Sequence, residues 1–273
     1  MKKGLVAAVV LFLFVVASSS AAELDLDKEV LIIPDTHNEK PYIWKVARNP
    51  KGYELVVERA ANDSGRFSFE VRKETPDEVQ EVHVFITDDD LQIFRHIRPV
   101  LKDGRHMFSF EAPKTGTYRF EIALKTEKGW VNLKKDMRLK GGGTQMAEPE
   151  RDKGYSVNLK LIPRKVYAEH VVTFLFDLAY NGQPILDIEK VDGTDMSLAS
   201  WDEDLKEFIY ATPKQNLGGP EIAVSAVFMR PGKRAIFAEF RHRGETRSIE
   251  MVLDVLMEPP QGTYIYNLKP ADN

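Results

Sequence analysis

Residues 82–99 read VHVFITDDDLQIFRHIRP and combine signals for a strand, a turn and the end of a second strand. The stretch begins with β-branched and aromatic residues, which favour strands. The run Asp88–Asp90 then predicts a turn, because Asp side chains accept hydrogen bonds from nearby backbone N–H groups. Leu91 starts the next buried face, and Phe94, three residues on, indicates a bulge or a turn into the next strand. Pro99 ends the segment, since proline cannot donate to a central ladder.

The same pattern occurs a second time in the chain. Residues 201–213 read WDEDLKEFIYATP, and at an offset of 114 they repeat the Asp, Leu, Phe and Pro of the first stretch. Residues 113–120 and 229–236 also correspond, with a slip of two residues. Two copies of one module, of about 100 residues each, explain both matches.

Short alternating runs fill most of the chain outside these stretches. Examples are residues 66–71, 118–122 and 235–240, and turn signals rich in Gly and Asp separate them. A period of two predicts strands with one buried face, and many short strands at this spacing predict sandwiches or barrels. Gly141–Gly143 and the charged residues after it interrupt the pattern and predict a flexible linker.

The first 22 residues carry the pattern of a secretory signal. Lys2 and Lys3 precede an apolar run over residues 5–16, and small residues follow up to Ala22. We expect cleavage before Glu23. The apolar run is shorter than the about 20 residues that span a membrane, although an uncleaved anchor is the alternative reading.

Composition excludes several classes of function. The chain has no cysteine, which excludes disulfides, thiolate metal sites, thiol catalysis and a lipid anchor on Cys. An exported chain without disulfides is more typical of a bacterial envelope than of a eukaryotic secreted module. After removal of Lys2 and Lys3 the net charge is about −6, without a basic pattern. This argues against nucleic acid and against an anionic membrane surface as partners.

The segment 82–99, together with the Gly-Thr-Tyr-Arg-Phe strand that starts at Gly116, resembles a bacterial exported module. That module has a His-bearing strand, an Asp-Leu turn, a Phe and a closing His-x-His-Pro. It is immunoglobulin-like and similar to YtkA-like domains and to the small copper-handling sandwiches of the periplasm. The match covers about 60 residues of the first module and a weaker 50 of the second.

The resemblance implies an all-β fold of two tandem immunoglobulin-like β-sandwich domains, the second copy degenerate. The expected organisation is a signal peptide (1–22), an N-terminal extension (23–52), a first β-sandwich (53–139), a linker (140–154), a second β-sandwich (155–257) and a C-terminal tail (258–273).

The resemblance also directs attention to the histidines. His83 and His96 occupy the first two histidine positions of the family pattern, but Arg98 stands at the third. In the second module the three positions hold Ser197, Tyr210 and Thr212, so no histidine remains.

Copper or zinc needs two to four donors that converge on one point. His83 and His96, with His106 or Met107, form the candidate set, and Met would favour Cu(I). The alternative is that His83 and His96 pair across neighbouring strands as packed or hydrogen-bonded residues.

Other clusters offer weaker hypotheses. The acidic triplets at 88–90 and 202–204 could hold Ca²⁺, but turns commonly carry such residues. Arg241, Arg243 and Arg247 could hold an anion or could form the tip of a hairpin. The sequence contains no Gly-x-Ser-x-Gly motif and no phosphate-binding loop.

We therefore expect an exported, non-enzymatic binding or scaffolding protein of the bacterial envelope, in the periplasm or outside the cell. Its partner would be an envelope protein or a cell-surface ligand, met at a sheet edge or in the cleft between the modules. No nucleic acid, no cofactor and no stable membrane insertion after cleavage are expected. The alternative function is periplasmic binding of copper or zinc through the first module.

Overall fold

The computed structural model of the chain describes residues 49–59, 65–74, 78–142 and 154–257, together with the backbone of 31–32. The predicted signal, most of the N-terminal extension, residues 143–153 of the linker and the tail from 258 lie outside the described residues. The described strands are β1 (Leu31–Ile32), β2 (Tyr53–Arg59), β3 (Arg66–Lys73), β4 (Val79–Asp88), β5 (Phe94–Ile97), β6 (Val100–Lys102), β7 (Arg105–Glu111), β8 (Gly116–Thr126), β9 (Gly129–Leu139), β10 (Tyr155–Ile162), β11 (Val166–Tyr167), β12 (Val171–Tyr180), β13 (Gln183–Pro184), β14 (Met196–Asp202), β15 (Phe208–Ala211), β16 (Glu221–Val227), β17 (Gly232–His242) and β18 (Glu245–Leu256).

Strands β2 to β9 form two antiparallel sheets that face each other. One sheet has the order β2-β3-β7-β6 and the other has the order β5-β4-β8-β9. These orders correspond to the A-B-E-D and C′-C-F-G sheets of an immunoglobulin-like sandwich. Alternate residues of the strands, such as Phe69, Val84 and Phe120, fill the core between the sheets.

The second sandwich repeats this arrangement. Strands β10, β12 and β16 form one sheet with the short β13, and β15-β14-β17-β18-β11 form the other. The short β11 runs parallel to β18, and β1 extends the second sheet by pairing in parallel with β15. The fold is therefore all-β, with two tandem immunoglobulin-like sandwiches, and the described residues contain no helix.

The two sandwiches pack against each other through the β5-β4-β8-β9 and β15-β14-β17 faces. Nine buried side chains form a separate apolar cluster that draws on both sandwiches: Phe85, Phe94, Ala123, Ala199, Trp201, Leu205, Phe208, Tyr210 and Phe237. We call this the inter-sandwich cluster. Strand β14 is consequently buried at every position, and the expectation of one buried face is wrong for β4 and β8.

Both copies of the repeated stretch form the same turn. Strand β5 begins at Phe94 and β15 begins at Phe208, so a turn rather than a bulge precedes each. Leu91 and Leu205 both have positive φ, at 57° and 55°. Each leucine N–H donates to the carbonyl of the Asp three residues earlier, at 3.2 Å and 2.9 Å.

A second equivalence lies at the start of the β8 and β17 strands. The hydroxyl of Tyr118 donates to the carbonyl of Lys114 at 2.6 Å, which is the tyrosine corner of immunoglobulin-like domains. In the alignment of residues 113–120 with 229–236, Arg234 stands at the position of this tyrosine. Its guanidinium donates to the carbonyl of Arg230, again four residues upstream. Arg234 also pairs with Glu207, and both side chains are fully buried.

Candidate functional site

The structure brings His83 and His96 together. His83 lies on β4 and His96 on the neighbouring antiparallel β5, where Phe85 is its direct partner. Val82, Val84 and Ile86 point into the core of the first sandwich, so His83 projects from the opposite face of the sheet. His83 Nδ1 lies 3.1 Å from His96 Nε2, within hydrogen-bond distance. The two histidines therefore pair across neighbouring strands, which is the expected alternative to a metal site.

His106 and Met107 do not join this pair. Both lie on β7, opposite Leu101 and Val100 of β6, in the other sheet of the first sandwich. The sandwich core separates that sheet from the β4–β5 sheet, at a spacing of about 10 Å. His83 and His96 are moreover on the far face of their sheet. The four candidate ligands therefore do not converge on one point.

The second sandwich supplies a partner for His96 that the sequence did not predict. Glu239, on β17, places Oε2 2.7 Å from His96 Nδ1. On the other side of the pair, Glu81 Oε2 lies 3.6 Å from His83 Nε2. Glu81 also forms an ion pair with Lys125, at 2.8 Å. The order of groups is thus Glu239, His96, His83 and Glu81, which crosses from one sandwich into the other.

The carboxylate of Glu239 fixes the tautomer of His96. A carboxylate only accepts, so His96 Nδ1 carries the hydrogen and its Nε2 presents a lone pair to His83. Burial lowers the pKa of His96 to about 4, although Glu239 opposes this shift. The contact with His83 and the ion pair with Lys125 lower the pKa of Glu81 to about 2.

Aromatic rings enclose the histidine pair. The ring of Tyr210 lies 5.1 Å from that of His83, and the ring of Trp130 lies 6.2 Å from it. Phe85 stacks on His96 at 4.3 Å. Burial raises the pKa of Tyr210. The side chain of His96 is 0% exposed and that of His83 is 2% exposed, so the pair belongs to the interior of the inter-sandwich contact.

The first acidic triplet forms an ion-paired turn. Asp88 is fully buried, and its Oδ1 accepts hydrogen bonds from the N–H groups of Gln92 and Ile93 at 2.7 Å and 2.9 Å. The ammonium of Lys114 lies 2.6 Å from Asp88 Oδ2 and 3.4 Å from Asp90 Oδ2. Carboxylate oxygens of 88–90 lie within 4.8 Å of one another, but a lysine already balances their charge.

The second triplet repeats this chemistry. Asp202 Oδ1 accepts from the N–H groups of Lys206 and Glu207 at 2.6 Å and 2.8 Å. Arg230, which corresponds to Lys114 at the two-residue slip, lies 3.3 Å from Asp202 and 3.9 Å from Asp204. Each triplet is therefore a turn whose Asp side chains pair with a cation. Lys114 lies in the loop before β8 and Arg230 lies in the loop before β17.

The arginines around the β17–β18 turn form ion pairs or contact an aromatic ring. Arg241 pairs with Glu189 at 3.0 Å, and Arg247 pairs with Glu245. The guanidinium of Arg243 lies 5.3 Å from the ring centre of Tyr180. These contacts favour the hairpin-tip interpretation of the cluster over an anion site.

The comparisons with known proteins concern only part of the chain. Residues 150–256 match the model of a family described as a domain of unknown function, DUF8832. No curated protein matches the chain. Among the described residues, no helix is long and apolar enough to cross a membrane.

Solved structures with a similar fold are distant. The red sea bream transglutaminase matches 77% of this chain and 32% of its own, at 11% identity and a TM-score of 0.24. The Salmonella alpha-2-macroglobulin reacted with methylamine matches 77% and 15%, at 15% identity and a TM-score of 0.27. Chicken CNTN1 FN1–FN3 domains match 77% and 68%, at 10% identity and a TM-score of 0.26. The chain thus spans a third or less of the first two proteins, and likenesses of this strength say nothing about function.

Proposed function

We propose that the protein is an exported, non-enzymatic scaffolding or binding protein of the bacterial envelope, in which the two sandwiches act as one rigid body. The inter-sandwich cluster of nine buried side chains supports the rigid-body part of this proposal, and the exposed apolar edge at β6 supports the binding part. Each buried Phe or Leu side chain in the cluster contributes about 1.5–3 kcal/mol. A contact of this kind resembles a domain core more than the polar interface of two mobile domains.

Polar contacts support the same proposal. Arg98 of the first sandwich pairs with Asp192 of the second. Arg119 and Lys134 both donate to the carbonyl of Leu205. Groups paired across the contact fix the orientation of the two sandwiches. Because the contact fills the space between the modules, a partner is better accommodated at a sheet edge than in an inter-module cleft.

The edge that suits a partner best is β6. This strand ends the β2-β3-β7-β6 sheet, and Val100 and Leu101 are 69% and 62% exposed. An exposed apolar edge can pair with an extended segment of another protein, which adds a strand to the sheet.

Capture from an envelope fraction tests this function. We expect the chain spanning 23–273 to retain a specific envelope component, and V100D/L101D to lose it. The matched control is L186D/L217D on the second sandwich, where the two leucines are 71% and 75% exposed. Equal retention by all three forms, or no specific retention by the unchanged chain, would contradict the proposal.

A second candidate function is binding of copper or zinc by the histidine pair. Two ring nitrogens face each other at 3.1 Å, close to the about 3.3 Å that separates two ligands of tetrahedral zinc. Glu239 accepts a hydrogen bond from His96 Nδ1, the ring nitrogen that does not face His83. Carboxylates make the same contact with histidines that bind metal ions. Against this, only two of the four predicted ligands converge and both are buried, so the donor set fits a hydrogen-bonded pair better.

Calorimetric titration with zinc and with copper(I) decides this second candidate. Metal binding through the pair requires tight binding that H83A/H96A abolishes and H106A leaves intact, because His106 lies in the other sheet. Absence of binding, or binding unchanged in the double variant, would eliminate the metal function.

A further inference from the structure

A hydrogen-bonded row of three side chains lies at the end of the second sandwich, away from the histidine pair. The hydroxyl of Tyr155 lies 2.7 Å from His242 Nδ1. His242 Nε2 lies 3.1 Å from Asp187 Oδ1. Tyr155 begins β10, His242 ends β17, and Asp187 lies in the loop after β13. Residues far apart in sequence are therefore aligned by the ends of the two facing sheets.

The direction of the hydrogen bonds follows from the carboxylate. Asp187 can only accept when ionised, so His242 Nε2 carries the hydrogen. His242 Nδ1 then presents a lone pair, and the Tyr155 hydroxyl must be the donor to it. A hydroxyl that donates to a histidine, which a third group orients, is the arrangement that activates nucleophilic side chains.

A cation and a buried histidine border Tyr155. The guanidinium of Arg247 lies 4.7 Å from the ring centre of Tyr155. His242 is only 4% exposed, whereas the Asp187 side chain is 79% exposed. Tyr155 itself is half-buried. When the alignment of residues 113–120 with 229–236 is continued along β8 and β17, Thr126 of the first sandwich corresponds to His242 of the second. The first sandwich therefore lacks the histidine of this row.

We propose that Tyr155 is a nucleophilic tyrosine that accepts an acyl group from an activated ester. The Tyr155 oxygen forms a bond to the acyl carbon, and the bond between that carbon and the leaving oxygen breaks. The phenol proton passes to His242 Nδ1 and from there to the leaving group. The product is an O-acyl tyrosine at the end of the second sandwich. This inference is independent of the proposed scaffolding function.

The structure provides an internal control for the test. Tyr180 is also half-buried, and its ring lies 4.6 Å from that of Tyr155. It therefore meets the same reagent in nearly the same place. The probe is p-nitrophenyl acetate, added to the folded chain spanning 23–273. The readout is the rate of O-acetylation at each tyrosine by peptide mass spectrometry, with hydroxylamine to separate phenyl esters from acetylated lysines.

We expect Tyr155 to be acetylated at least about tenfold faster than Tyr180, since a positioned general base contributes about 10²–10⁴-fold. D187N and H242Q should bring the Tyr155 rate toward that of Tyr180, and R243Q should leave it unchanged. D187N keeps the test valid if H242Q fails to fold, because Asp187 is exposed. Equal rates at the two tyrosines, or a Tyr155 rate that D187N does not alter, would overturn the proposal.

Discussion

At the scale of single residues, His96 links the charge state of the protein to its stability. Burial holds its pKa at about 4, against about 6.5 for the unfolded chain. Between these values the unfolded chain binds the proton and the folded chain does not. The stabilisation is therefore complete above pH 6.5 and is lost as the pH falls toward 4.

We expect this group to lower the free energy of unfolding by about 2 kcal/mol between pH 7 and pH 5. Urea unfolding at the two pH values measures the loss. In H96Q the pH-dependent loss should shrink by that amount, whereas H170Q should keep it. A loss of the same size in H96Q would show that His96 is not the group responsible.

Asp88 is a second residue whose replacement should lower the stability of the protein by a predictable amount. It accepts two backbone N–H groups and pairs with Lys114. Replacement by Ala leaves those groups without their acceptor, and charged hydrogen bonds contribute about 1.5–3 kcal/mol each. We expect D88A to lower the free energy of unfolding by at least about 3 kcal/mol. D88N should cost less, because its amide oxygen can still accept.

D89A is the matched control for this turn. Asp89 is exposed on the same turn, and exposed substitutions usually change stability by less than about 0.5 kcal/mol. Chemical denaturation of the three variants is sufficient. Equal stability of D88A and D89A would show that the turn does not depend on Asp88.

At the scale of strands, the inter-sandwich contact depends on stacked rings. Phe94 of β5 lies parallel to Phe237 of β17, with ring centres 4.3 Å apart and an interplanar angle of 8°. We expect F94A to lower the free energy of unfolding by about 3–5 kcal/mol, as large core truncations do. V100A, on exposed β6, should leave it unchanged. A loss under about 1 kcal/mol in F94A would show that this contact is weak.

The sequence was sufficient to predict the two β-sandwich copies, the capping role of Asp88 and the closeness of His83 and His96. Each of these depends on residues near in sequence or on neighbouring strands. The partner of His96 could not be predicted, because Glu239 is 143 residues away and no local pattern relates the two. One sequence signal does indicate the burial of this strand: Val84, Phe85 and Ile86 form an unbroken apolar run, which is typical of a strand buried on both faces.

The replacement of Tyr118 by Arg234 was equally hard to predict. An arginine in sequence normally indicates an exposed position. Here the guanidinium reaches the same upstream carbonyl as the tyrosine hydroxyl, and Glu207 compensates its charge. Burial raises the pKa of Glu207, and Arg234 opposes that shift.

At the scale of the whole molecule, the shared cluster couples the two sandwiches. Trp130 belongs to the first sandwich and Trp201 to the second, and both contact this cluster. We expect one calorimetric transition for the unchanged chain, because neither sandwich can unfold without exposing the other's apolar face. Protonation of His96 contributes at most about 3 kcal/mol, far less than the burial of nine apolar side chains. Acid should therefore weaken the contact without separating the sandwiches. Two calorimetric transitions at pH 7 would contradict the coupling of the two sandwiches.

That the two sandwiches form one rigid body can be tested by measuring a distance between them. The chain has no cysteine, so K102C/Q183C carries spin labels only at two exposed positions, one on each sandwich. Pulsed electron resonance then gives the distribution of distances between the labels. We expect a single narrow distribution at pH 7 that broadens when F94A is added. A broad or multiple distribution in the protein without F94A would show that the sandwiches move independently and would contradict the claim.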